Sequence, residues 1–214
     1  MKNGEVIREA LLNNTIRLIG DGGFEKATTK GIVSLGIGVK DIKLNEVYIY
    51  RIFGSKELLY AAAFSMLDEE LFSGVRLALA DFTDSDLCFR DRMHVVFDRI
   101  WYFLLKNEWR CRTYVRYYYS AYFREQSLRN HRKLLYSQEE IFSPIFKDES
   151  DVISLIHNTF MTMMDFAVRV YNGDLENNRE NAYHIFNLLY ESLKSYFDPD
   201  AIKRYEKVSP PPTE

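Results

Sequence analysis

Apolar residues recur along most of this chain at intervals of three and four, the spacing that lines one face of an α-helix. Leu11, Thr15, Leu18 and Ile19 form such a face and predict a helix over Val6–Gly20. Asp21-Gly22-Gly23 ends it with a glycine free to take the left-handed cap, and Phe24 anchors the turn. Thr28 and Thr29 are N-cap candidates for a second helix, whose apolar side is Ile32, Val33 and Leu35 and which weakens at Gly36 and Gly38. A third, short helix is predicted after Asn45, with Glu46 in its first turn, where the helix dipole favours an acid. Gly54 breaks the chain, and Ser55 caps a long helix from Lys56 to about Asp81.

Further helices are expected over Ser85–Lys106, Trp109–Arg124, Leu128–Ile145, Val152–Tyr171 and Glu180–Phe197. Pro144 and Asp198-Pro199 act as stop signals, and residues 208–214 are expected to be disordered. The fold class is therefore all-α. Three short helices followed by a long one have the rhythm of a helix-turn-helix on a connecting helix. The expected division is a head over residues 1–57, a larger helical body over 58–207 and the tail.

Charge sharpens this only slightly. Residues 1–57 hold nine Lys/Arg against seven Asp/Glu, whereas the remainder holds 19 against 24. A weakly basic head on an acidic body suits local contact with phosphates but not a surface that coats nucleic acid. Cys88 and Cys111 are isolated, with no metal-ligand spacing, as expected of a reduced intracellular protein. No signal-peptide pattern and no long uncharged apolar run is evident, so the expectation is a cytoplasmic protein without membrane contact. His94, His131, His157 and His184 are scattered, Gly36-x-Gly38 lacks the third glycine of a phosphate loop, and Glu69-Glu70 and Glu139-Glu140 read as solvated faces. No enzyme, cofactor or metal site is expected.

The segment Tyr50-Arg51-Ile52-Phe53-Gly54-Ser55-Lys56-Glu57-Leu58-Leu59 resembles the end of the DNA-binding domain of the TetR family, as does Gly23-Phe24-Glu25-Lys26-Ala27-Thr28-Thr29-Lys30-Gly31-Ile32 its earlier helix. An insertion near Gly36–Lys43 and Ile52 in place of the family's usual His or Tyr depart from the pattern. The resemblance implies a homodimeric regulator, expected to act as a repressor, that binds a palindromic operator in double-stranded DNA and leaves it when a small molecule binds. It implies that Thr28 or Thr29, Tyr50 and Lys56 clamp phosphates, with Lys43 and Arg51, and also Lys30 and Lys40, as further donors. The residue pattern places Val47 and Phe53 inward, Tyr50 partly so, and leaves Asn45, Glu46, Tyr48 and Ile49 exposed, the first three with groups suited to base edges. The alternative is a helical interaction protein that keeps the fold without reading an operator.

Tyr114, Tyr118 and Tyr122 form a stripe at four-residue spacing near Trp101 and Tyr102. They are expected either to be core or, with Phe160, Met163 and Met164 opposite, to line a pocket for an apolar or aromatic effector. Ile153 and Ile156, with Ile185, Leu188, Leu189, Ser192 and Tyr196, form stripes on the last two long helices that are candidates for the dimer interface.

Overall fold

The computed structural model describes residues 2–37, 43–83 and 86–206; the tail from Val208 and most of the insertion, with Gly38 and Lys40, lie outside them. Helices account for nearly all the regular structure: α1 (Lys2–Gly22), α2 (Thr29–Ser34), α3 (Glu46–Phe53), α4 (Lys56–Ala78), α5 (Phe89–Lys106), α6 (Glu108–Tyr118), α7 (Glu125–Tyr136), α8 (Glu139–Phe142), α9 (Val152–Tyr171), α10 (Arg179–Leu193) and α11 (Pro199–Tyr205). The chain forms two compact units that do not follow its order. The first takes the chain up to Leu71 together with Asn107–Leu134; the second takes Phe72–Lys106 and the chain from Leu135 on.

The first unit grows from α1, whose Leu11, Leu12, Ile16 and Ile19 are buried along one face. Thr15 is buried with them because its hydroxyl donates to the Leu11 carbonyl at 2.7 Å. The Thr28 hydroxyl accepts from Gly31 N at 3.0 Å and starts α2, and the Asn45 side chain does the same for Val47 N at 3.0 Å and starts α3. Asn14 reaches from α1 to the carbonyls of Ile32 at 3.0 Å and Gly36 at 2.9 Å, so the end of α2 is held to α1.

α6 packs along α1 and donates to carbonyls of its last two turns, Thr113 to Ile16 at 2.5 Å and Arg116 to Ile19 at 2.5 Å and Gly20 at 2.8 Å. A cation at the C-terminal end of a helix also meets the negative pole of its dipole. Gly20 permits the approach: a Cβ there would lie 2.2 Å from the Trp109 carbonyl oxygen.

The second unit is built on α5, α9 and α10, with Phe89, Ile145, Phe146, Val152, Leu193 and Phe197 as one buried cluster. An antiparallel bridge pairs Phe146 with Phe197, Lys147 N donating to Tyr196 O at 2.9 Å and Asp198 N to Ile145 O at 3.1 Å. Arg92 is buried because its guanidinium serves the carbonyls of Phe82, Thr83 and Leu87, binding the α4–α5 connection to α5.

Several elements differ from the sequence expectation. The helix predicted over Trp109–Arg124 ends at Tyr118, where the Ser120 hydroxyl donates to Tyr117 O at 2.7 Å and accepts from Tyr122 N at 3.1 Å. The one predicted over Leu128–Ile145 divides into α7, α8 and a 3-10 turn containing Pro144. Asp198-Pro199 ends the preceding segment but also begins α11. Asp198 accepts from Asp200 N at 3.1 Å and Pro199 takes the first-turn position where its missing N–H costs nothing.

Candidate nucleic-acid interface and apolar cavity

The cap at Asn45 fixes the rotational phase of α3. Ile49 is fully buried, while Val47 is 63% and Tyr50 54% exposed. This corrects the expectation that Val47 faces inward and Ile49 outward: the buried face of α3 begins one turn after the cap. Arg51 is also exposed and lies on the Tyr48 ring, 4.7 Å from its centroid, so a cation–π contact restrains the guanidinium beside Val47. Phe53, predicted inward, is half-buried under Arg8 at 5.8 Å.

Other expected residues have structural duties. Thr29 donates to the Glu46 carboxylate, tying the start of α2 to the start of α3 and engaging both groups. Thr28 and Asn45 are caps, and Lys43 is exposed beside Asn45. Lys43, Asn45, Val47, Tyr48 and Arg51 share one surface depression at the start of α3. Gly54, at φ 85°, ends α3 and turns the chain, and the Ser55 hydroxyl then accepts from Leu58 N at 3.1 Å to open α4. Lys56 lies in this first turn with its ammonium 5.6 Å from the Tyr60 ring. Tyr60 in turn donates to the Ala27 carbonyl at 2.6 Å, holding the α1–α2 turn to α4. Burial pushes its phenol up to about 12.

The tyrosine stripe packs into the aromatic interior of the first unit, with Tyr114 buried and Tyr118 and Tyr122 half-buried. Tyr117 is also buried and stacks on Phe64 at 4.5 Å. Tyr122 meets Phe24 at 4.6 Å and Tyr60 at 5.1 Å, and Tyr118 meets Phe123 at 4.7 Å. Among these rings lies a pair that the sequence reading did not single out: buried His131 of α7, its Nδ1 3.1 Å from the carboxylate of buried Asp68 of α4. Desolvation pushes the Asp68 carboxyl up while His131 pulls it down, and burial raises the Tyr114 phenol well above its ordinary value.

A cavity of about 100 Å³ lies instead within the second unit, between Phe72 of α4, Met93 and Phe97 of α5, Phe160 and Met163 of α9, and Leu189 of α10. Of the residues expected in a pocket, Phe160 and Met163 line it. Trp101 and Met164 are buried outside it, and Tyr102 is exposed with Lys106 4.9 Å from its ring. Tyr114, Tyr118 and Tyr122 are absent from it because α6 and the segment after it belong to the other unit. The signal for the wall was in α5, where Met93, Val96, Phe97 and Ile100 recur at helical spacing.

The expected dimer stripes divide in the same way. Ile156 and Leu189 line the cavity and Ile185 is buried, whereas Leu188, Ser192 and Tyr196 are exposed and Ile153 is half-buried. Among the described residues no group of three or more His, Cys, Asp or Glu could hold a metal ion, and no helix is long and apolar enough to cross a membrane.

Compared by sequence, the chain matches no family model and no curated protein. Its fold, however, matches that of a TetR family transcription regulator from Marinobacter aquaeolei VT8. That match has a TM-score of 0.66 at 20% identity over 92% of this chain and 98% of the other. A TetR-like transcriptional regulator from Rhodococcus sp. RHA1 matches with a TM-score of 0.60 at 18% identity, over 88% and 96% of the two chains. The chain therefore has the fold of the TetR family regulators, in agreement with the resemblance carried by its N-terminal motifs.

Proposed function

We propose that the protein is a non-catalytic transcription regulator that binds a palindromic operator as a homodimer and is released from it by a small-molecule effector. The observation that carries this reading is the outward face of α3: Val47, Tyr50 and Arg51 stand exposed on a capped helix of a helix-turn-helix. In such a motif the second helix enters the major groove, and a dimer spaces its two copies by about 34–36 Å. Arg51 has the forked donors that suit guanine, and Val47 an apolar surface that suits a thymine methyl. Tyr50, Lys43 and Lys56 supply phosphate contacts around them. Repression is the role the resemblance favours over activation, and a protein that binds an operator would work in the cytoplasm.

The test is binding of the purified protein to DNA upstream of its own gene and to a scrambled duplex, at two salt concentrations. Selective, salt-sensitive binding is expected. Arg51→Ala should weaken it by about 10- to 100-fold at the operator, with little change on the scrambled duplex. Salt-independent binding, or equal affinity for both duplexes at either salt, would reject the reading and favour a helical interaction protein.

A further inference from the structure

We propose that the cavity of the second unit is a binding site for a small, uncharged, apolar molecule of about the size of a single aromatic ring. The assignment rests on the effector reading above and gives it a place and a ligand class.

The wall decides the chemistry. Every residue lining the cavity is uncharged, and phenylalanine, methionine and aliphatic side chains supply most of it. One of its few hydroxyls, that of Thr159, is engaged with the Leu155 carbonyl at 2.7 Å. A carboxylate, ammonium or phosphate placed there would lose its hydration and meet no opposite charge, a cost that excludes such ligands. Arg90 does not change this. Its guanidinium sits 5.4 Å from the ring centroids of Phe186 and Tyr190 and donates to Asn187.

The volume decides the size. At about 100 Å³ the space is somewhat smaller than the ~150 Å³ apolar cavity that takes up benzene. Met93 and Met163 stand on opposite walls, on α5 and α9, and their unbranched side chains can yield by the small amount required. The rest of the wall fixes where the effect is felt. Phe72 and Val75 belong to α4, the helix that begins at Lys56, while Ile156 and Leu189 belong to α9 and α10. A ligand here presses on the helix that follows the DNA-binding head and on the candidate dimer helices together.

The experiment compares benzene, benzoate and benzylamine, three ligands built on one ring and differing in charge, by thermal unfolding of the full chain. Saturating benzene should raise the Tm by about 2–4 °C, with no rise from the two ions. Two cavity-filling variants, Val75→Phe and Ile100→Phe, should abolish the rise; two are used because either alone could fail to fold. No rise with benzene, an equal rise with either ion, or a rise that persists in a folded filled variant would overturn the assignment. No DNA is present, so the result is independent of operator binding. A benzene shift without any change in operator affinity would uphold the site and reject its role as effector site.

Discussion

Gly20 lies within α1, where a glycine ordinarily weakens a helix by about 0.5–1 kcal/mol relative to alanine. Here the sign reverses, because a Cβ would meet the Trp109 carbonyl oxygen at 2.2 Å and its carbon at 2.8 Å. These are backbone atoms of α6, held in place by the hydrogen bonds from Thr113 and Arg116, and cannot swing aside. Gly20→Ala is therefore expected to destabilise the protein by about 2–3 kcal/mol, the cost of overpacking a close contact. Gly4 is the internal control, since a Cβ there meets nothing within 4 Å. Gly4→Ala should be neutral or stabilise by up to about 1 kcal/mol, the helix-propensity difference. Urea unfolding of the two variants side by side measures the contrast.

At the scale of elements, Asp68 and His131 join α4 to α7 inside an aromatic shell, with Phe64 and Tyr118 around the imidazole. Removing one member leaves the other buried, so Asp68→Ala should cost about 3–5 kcal/mol. Replacing both by apolar residues, Asp68→Leu with His131→Phe, should cost much less than the sum of the two single changes, a coupling that denaturant melts resolve. The two residues are 63 apart in the chain, and nothing in local periodicity joins them. Local signals, by contrast, were legible: the caps at Thr28, Asn45 and Ser55, the glycine stop after α3, and α9 over Val152–Tyr171. What local pattern leaves open is which partner a face meets. Tyr114, Tyr118 and Tyr122 form a regular stripe whether they line a cavity or a core, and their ring contacts with Phe64, Phe123 and Phe24 are invisible to local pattern. The phase of α3 is hidden from the sequence for a related reason. Val47 and Ile49 are equally apolar in sequence, and their roles separate only once the cap fixes where the first turn begins.

For the whole molecule, the proposed function turns on how two heads would act on one operator. The exposed side of α10 offers Leu188, 56% exposed, with Tyr183 also exposed, while Ile185 and Leu189 are turned inward; Tyr196, in the 3-10 turn that follows, is exposed as well. In the proposed homodimer an apolar residue at this position would meet the partner's copy across a two-fold axis, so a single change would be felt twice. Leu188→Arg is therefore expected to give a monomer, seen as a halved mass by sedimentation. The intact head would still bind one half-site with unchanged affinity. Affinity for the full palindrome should fall by about 100-fold, because the second head no longer acts at the high local concentration that its tether supplies. Leu188→Met, close in volume and still apolar, should retain both the dimer and the palindrome affinity. A Leu188→Arg protein that sediments as a dimer would move the interface away from this face of α10. A monomer that binds the palindrome as tightly as the wild type would separate dimerisation from operator recognition.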